Sequence, residues 1–395
     1  MLQESLNFVF PNDFHIMWSL MIVIYPYVTG IVAGAFIVSS LYHVFGRDEL
    51  KPVGRLSMVA SLAFLLIATT PLLLHLGHPE RALNIVITPH FTSAMAAFGM
   101  IYTCYLTLLT LEIWLVYRKD IIMVAARSRG IKRVIFSVLS LGVYDISEES
   151  LRIDHRAIIV LASLGIPAAC ILHGYVGFMF GSVKANAWWS TPLMPIIFLF
   201  SAVTSGIAMI IILYQSLMRL SGQKIIGECV QSLSRWLWLF TIMTVTLEML
   251  EIISLAYKKG EEWLVIGPLL GTKLAFPFIA VQVVFGSLIP IVLLAIVVLM
   301  KPFLTNPLRN TIAFVASLIL LIQVFAMRWN VVIGGQIFSK SMRGFRDPYV
   351  PELFGREGAL AAIAIFITPF VLLAIFNKFL PMYETSDEPS GGESA

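Results

Sequence analysis

The sequence predicts an all-α integral membrane protein of nine transmembrane helices, or ten, arranged as two four-helix bundles plus an additional C-terminal helix. Of its 395 residues 58% are hydrophobic and 13% are charged, about half the charged share of a soluble chain. Apolar runs of about twenty residues recur, each long enough to cross a bilayer core. The polar–apolar alternation of an outer-membrane barrel is absent.

Taken in order, the spans are expected at residues 15–45, 54–76, 92–117, 157–180, 191–218, 236–257, 274–300, 310–328 and 358–380. The eighth is open to extension through the apolar Val331-Val332-Ile333. A tenth apolar piece at 263–270 is short and contains Gly267 and Pro268, so it is expected to be re-entrant or interfacial. Residues 1–180 then form the first four-helix bundle and 181–357 the second, with 358–383 as the C-terminal membrane helix and 384–395 as a polar, acidic tail expected to be disordered. No basic stretch precedes the first apolar run, so no cleaved signal peptide is expected. Gly30 and Gly34 in the first span, and Ala202 and Gly206 in the fifth, are spaced for close helix crossings.

Loop charge sets the expected orientation. Most of the 27 Lys and Arg residues fall on the side that holds the loops 46–53, 118–156, 219–235 and 301–309, which the positive-inside rule places in the cytoplasm. Nine spans then put the N-terminus outside and the C-terminus in the cytoplasm of a prokaryotic inner membrane. The loop 118–156, with Arg127, Arg129, Lys132 and Arg133, is expected to be an amphipathic segment lying against membrane lipids. On the outer side this orientation collects His15, the run Leu74-His75-Leu76-Gly77-His78-Pro79-Glu80-Arg81, Pro89-His90, the stretch with Trp188 and Trp189, and Arg328 to Arg356.

The residue types on that face suit a quinone. Its two carbonyl oxygens need hydrogen-bond donors when oxidised and proton acceptors when reduced. Histidine exchanges a proton near neutral pH; His15, His75 and His173 lie near outer span ends, and His78 follows His75 by one turn if the helix persists. Tyr175 can supply a phenol. Arg81 can orient Glu80 or balance negative charge on a partly reduced ring. The plainer reading of each single residue is capping or interfacial anchoring. A b-type cytochrome is the competing reading of the cluster, with His75 and His173 as an axial pair. The three cysteines, Cys104, Cys170 and Cys229, are too few and too scattered for an iron–sulfur cluster. Electrons would have to come from, or go to, another protein.

Carboxylates inside spans usually face the bundle interior and mark proton routes. Glu248 and Glu251 share a helix face in the sixth span, and Glu112 lies towards the inner end of the third. The alternatives are an ion pair of Glu251 with Arg328 or Lys273, and an interfacial position for Glu112. An ion-translocating module built on these acids, or a passive membrane anchor, are the other function classes. Trp188, Trp189, Arg328, Arg343 and Arg346 suit the docking of an acidic extramembrane partner, or ordinary interfacial anchoring. There is no nucleotide-binding loop, metal-ligand motif or nucleophile elbow, and nothing that suggests nucleic acid.

Residues 25–34, 74–81, 173–189 with the following span to Ala208, and 328–336 together resemble the NrfD-like, polysulfide-reductase membrane-subunit family. The length, the extra C-terminal span and the stretch 328–345 are most similar to the longer branch of DsrP-type subunits associated with sulfite reductase, usually described with ten spans. The resemblance implies a subunit of a quinone-linked respiratory complex of sulfur metabolism, free of haem and iron–sulfur clusters, that binds menaquinone. It further implies an extracytoplasmic, ferredoxin-like iron–sulfur partner and other membrane or cytochrome subunits. The family's quinone sites lie near the outer end of the first four helices. On this chain that region holds His15, His75, His78, Arg81 and Tyr175.

Overall fold

The computed structural model describes residues 15–338, 344–380 and 382. The N-terminal stretch, Arg343 and the acidic tail lie outside the described residues. Among the described residues nine helices are long and apolar enough to cross a bilayer. They are α1 (Leu20–His43), α2 (Asp48–His75), α3 (Ala94–Arg127), α4 (Glu148–Gly181), α5 (Met194–Leu220), α6 (Gly227–Lys258), α7 (Ala275–Leu299), α8 (Asn306–Ile337) and α9 (Ala359–Phe376). No strand occurs among the described residues, only an antiparallel bridge between Phe338 and Phe345. The chain is an all-α multi-pass membrane protein.

Each expected span is present, and the differences at the ends have local causes. Helix α3 runs on past Tyr117 to Arg127, and α4 begins well before Ala157. The charges that ended the apolar runs are paired there. Arg118 reaches Asp154 at 2.5 Å and Ser150 at 3.1 Å, and Arg55 of α2 reaches Asp120 at 3.1 Å. Helix α8 continues through Val331-Val332-Ile333 as a π-helical turn, Asn330–Gly334. Residues Glu261–Gly271 form a helix of 11 residues, shorter than a span requires. In the loop between α3 and α4, the helix Gly130–Leu139 leaves Ile131, Val134 and Val138 exposed beside Lys132 and Arg133, the composition of an interfacial helix.

Helix α1 is central: 94% of its apolar window is buried. It packs most extensively against α2 and α5 and also touches α4, α8 and α9. The two small-residue pairs meet each other at the α1–α5 crossing. A Cβ added at Gly34 would lie 2.7 Å from Gly206 Cα, and one at Gly30 would lie 3.5 Å from Ala202 Cα. At Gly34 only glycine allows so close a backbone approach, whereas the Gly30 contact is an ordinary one. Helix α9, last in the chain, lies against α2 and α1, so its N-terminal lead-in reaches the end of α2 where His75 sits.

Candidate functional site

Helix α2 stops at His75 for a local reason. Leu76 is extended, at φ −66° and ψ 136°. His78 precedes Pro79, whose ring disfavours helical backbone one residue earlier, and it adopts φ −131° and ψ 74°. A 3₁₀ turn, Pro79–Arg81, and a short helix, Asn84–Ile87, carry the chain across to α3. The helix does not persist to His78, so the shared helical face expected for the two histidines is replaced by a bend that turns both towards one space.

That space is a cavity of about 930 Å³ between this bend and the ends of α1, α3 and α4. Ile22, Leu72, Phe98, Met179 and Phe180 are among its apolar walls, and Tyr25, Tyr102, His75, His78, Arg81 and His90 are among its polar ones. The Tyr25 hydroxyl is buried with no hydrogen-bond partner, a costly state for a polar group at membrane depth. Tyr102 donates to Leu65 O at 2.6 Å. His75 Nδ1 lies 2.8 Å from Glu357 Oε2, which leaves Nε2 as the ring nitrogen available to the cavity. His78 Nδ1 lies 2.9 Å from Glu80 Oε1, both side chains about two-thirds exposed. Arg81 is equally open, 4.0 Å from Glu80. The cavity is therefore graded, with a buried phenol and an enclosed histidine inside and a charged rim at its mouth.

Glu357 belongs to the lead-in of α9. Its Oε2 also accepts from Ser19 Oγ at 2.5 Å, and Ser19 caps α1 by accepting from Met21 N. Burial alone would push the Glu357 carboxyl up. The hydrogen bonds from Ser19 and His75, with the charges of His75 and Arg356, outweigh burial and hold it below its ordinary value.

A quinone fits these residues. The partnerless Tyr25 hydroxyl needs an acceptor, which a ring carbonyl provides, and the volume lies in the range of small-molecule sites. His75, His78 and Arg81 are brought together here. His15 is exposed and off the cavity wall. Tyr175 donates to Ala94 O at 3.0 Å and ties α4 to the start of α3, outside the lining. Trp18, Tyr25, Tyr102 and Glu357 were not among the expected site residues. Tyr25 stands in the first span beside Pro26, where an aromatic residue reads as core. Glu357 is separated by 282 positions from the histidine it meets.

A second polar cluster is fully buried. Arg328 Nη2 lies 3.0 Å from His173 Nε2 and donates to Ser201 Oγ at 2.7 Å and Phe198 O at 3.3 Å. Its guanidinium carbon sits 3.8 Å from the centre of the Phe198 ring. His173, the sequence's candidate haem partner for His75, is thus committed to Arg328. Glu248 accepts from Gln282 Nε2 at 2.8 Å and Gln323 Nε2 at 3.2 Å, and Gln282 accepts from Asn330 Nδ2 at 2.7 Å. Glu248 and Glu251 line a small void of about 20 Å³, with Glu251 Oε1 unpaired. Among the described ion pairs none joins Glu251 to Arg328 or Lys273. Glu112 is buried in α3, and neither of its oxygens has a partner.

The docking expectation needs correction for three residues. Arg328 is wholly buried because α8 continues beyond it to Ile337, so it is not part of a loop. Trp189 donates to Val331 O at 2.6 Å and stacks on Trp18 with centroids 4.9 Å apart. Trp188 packs edge-on against Phe278. Both indoles are buried and offer no surface to a partner. Arg346 is half-buried and donates to Gln336 O at 3.2 Å.

Known relatives match between half and nearly all of this chain. It is 26% identical over 393 residues to a selenate reductase subunit of Mesobacillus selenatarsenatis, covering 94% of this chain and 89% of that one. It is 22% identical to the Hdr-like menaquinol oxidoreductase integral membrane subunit of Archaeoglobus fulgidus, over 90% of this chain and 83% of that one. Protein NrfD of Escherichia coli K12 is 26% identical over 50% of this chain and 59% of its own length. The model of the polysulphide reductase NrfD family matches residues 11–340, and the chain belongs to that family.

Proposed function

We propose that this protein is the quinone-interacting membrane subunit of a respiratory oxidoreductase complex, exchanging electrons between menaquinone or menaquinol and an iron–sulfur subunit on the periplasmic side. The observation that carries it is the cavity at the His75 end of α2, an apolar space lined by His75 and by Tyr25, whose buried hydroxyl has no partner within the protein. Menaquinone as the quinone is supported by the name of the Archaeoglobus relative. An iron–sulfur partner is supported by the three scattered cysteines, which cannot hold a cluster themselves. The periplasmic side is supported by the basic loops at the opposite helix ends.

A bound quinone supplies two-electron, two-proton redox chemistry. Tyr25 would donate its hydroxyl to one ring oxygen. His75 would hold or release a proton at Nε2. His78 and Arg81, open to water at the rim, favour negative charge near the mouth and give protons an exit. Apolar walls exclude water from the ring. Leu83, Ile87 and Phe91 are each more than two-thirds exposed beside the mouth, which suits entry of an apolar tail from the lipid.

Proton movement across the membrane is the second reading, favoured by Glu112, a carboxylate at membrane depth with no partner for either oxygen. Glu248 and Glu251 would serve the same route on the other side of α5. In reconstituted vesicles, Glu112→Gln and Glu248→Gln would abolish proton uptake with quinone turnover intact. An unchanged proton yield in both variants would remove them from any route. The main reading is tested by short-tail naphthoquinone binding to the purified chain, with Tyr25→Phe, His78→Ala and Arg81→Ala for comparison. Binding that ignores all three substitutions would take this cavity out of the quinone site.

A further inference from the structure

We propose that Glu357 is the positioning residue for His75: it holds the imidazole with Nδ1 turned to its carboxylate and Nε2 turned to the cavity, where it can exchange a proton with a bound ring. The inference deepens the quinone reading and rests on it. It gives the C-terminal helix, which contributes no residue to the cavity wall, a defined part in the site.

Three segments far apart in the chain converge on one oxygen. Glu357 Oε2 lies 2.8 Å from His75 Nδ1 and accepts from Ser19 Oγ at 2.5 Å. The lead-in that carries Glu357 is itself held. Tyr349 accepts from Leu20 N at 2.9 Å, and Ala359 N and Leu360 N donate to Glu352 O and Leu353 O at 2.7 and 3.2 Å. Between them Gly355 adopts φ +108°, a conformation only glycine takes without strain. The carboxylate is therefore fixed with respect to both α1 and the end of α2.

An imidazole bonded to a carboxylate at one nitrogen has its tautomer and orientation settled at the other. The His75 and Glu357 side chains are 25% and 29% exposed, so solvent screens the pair in part and its contribution to stability is modest. Its consequence is chemical. With Nδ1 engaged by the carboxylate, Nε2 offers a lone pair to a quinol hydroxyl when the imidazole is neutral and an N–H to a quinone oxygen when it is protonated. When a bound quinol is oxidised, its two electrons leave to the iron–sulfur partner. One of its two protons passes to Nε2 of neutral His75, the other leaves to water at the open rim, and Glu357 remains ionised throughout. Reduction runs the same transfers backwards. The other charged or titratable groups around the pair are Arg356 and Tyr349, with Glu352 beside Tyr349 and the His78–Glu80–Arg81 rim across the mouth.

The test is the affinity of the full-length purified protein for a short-tail naphthoquinone, measured from pH 5 to pH 9. In Glu357→Gln, which loses the anionic acceptor at Nδ1, affinity falls about tenfold at every pH tested. Glu357→Asp restores part of the loss, and Ser19→Ala lowers affinity less but in the same direction. In a His75→Asn background Glu357→Gln adds nothing. Wild-type affinity in Glu357→Gln, or a loss that persists without His75, overturns the assignment. Loss of folding in Glu357→Gln leaves Ser19→Ala to decide by the same criterion. Wild-type binding that is absent, or indifferent to Tyr25→Phe, overturns the quinone reading itself, an outcome separate from an unchanged affinity in Glu357→Gln.

Discussion

The two polar clusters of this protein differ in what their hydrogen-bonding groups are joined to. Around Arg328 the side chains bond one another: guanidinium to imidazole, hydroxyl and carbonyl, and Glu248 to two amides, with a void of about 20 Å³ beside them. Around the end of α2, Tyr25, His75 and Arg81 line an open volume of about 930 Å³, and the buried Tyr25 hydroxyl has no partner within the protein. Arg328 Nε and His173 Nδ1 also lack partners, so orphaned atoms occur in both clusters, and the difference is the space beside them. A wholly buried charge bonded to an imidazole, a hydroxyl and a carbonyl is architecture, because removing it strands those partners. A buried hydroxyl without a partner beside a large cavity is positioned for something that enters. Residue type alone does not separate the two, since each cluster contains histidine, arginine and glutamate.

The comparison is tested most severely at Arg328 and at the α1–α5 crossing. Arg328→Met leaves His173 Nε2, Ser201 and the Phe198 carbonyl without their donor in a dry interior, at a cost of about 3 kcal/mol. The thermal midpoint of the detergent-solubilised protein should fall sharply. A midpoint close to wild type would mean that this cluster, too, is poised for a ligand. Gly34→Leu should be of similar severity, because a Cβ there already meets Gly206 Cα at 2.7 Å, and poor membrane accumulation would report it.

The cavity side should show the opposite behaviour, with affinity changing and stability not. Tyr25→Phe removes a hydroxyl that bonds nothing within the protein, so the thermal midpoint should hold or rise slightly. Naphthoquinone affinity should fall about fivefold, the equivalent of about 1 kcal/mol for a neutral hydrogen bond. A fall in stability with unchanged affinity would reverse the roles given to the two clusters. Arg81→Ala, at a rim 69% exposed, should cost only about twofold to threefold in affinity, since exposed charges act weakly.

The sequence carried the architecture further than the chemistry, and the reason is periodicity against distance. Twenty-residue apolar runs are local, so all nine spans were legible, including the extension of α8 through Val331-Val332-Ile333. The break at Pro79 was legible for the same reason, and with it the cluster of His75, His78 and Arg81. Arg328 was misplaced as a surface residue because a basic residue ending an apolar run reads as a helix end. Its partners, His173, Ser201 and Phe198, come from α4 and α5, and no local signal announces them. Tyr25 was hidden by its surroundings, since only the missing partner of its hydroxyl distinguishes it from core. Glu357 could not be found at all from the residues near it.

The smallest expected effect concerns the tie between α9 and the rest of the site. Glu357 is held below its ordinary value by Ser19, His75 and Arg356 against the opposing effect of burial. A carboxyl depressed in the folded state contributes stability that is complete above its unfolded value, about 4.3, and is lost as pH falls through the lower folded value. Wild type should therefore exceed Glu357→Gln slightly in thermal midpoint at pH 7. The gap should stay constant above the unfolded value and close as pH falls through the lower folded value, where the carboxylate takes up its proton. Hydrogen exchange in residues 344–358 should rise over the same interval in wild type and be already high in the variant. A gap that persists undiminished once the carboxyl is protonated would mean that Glu357 acts through shape and not charge, which would leave the grading of the cavity from neutral interior to charged rim without its anchor on α9.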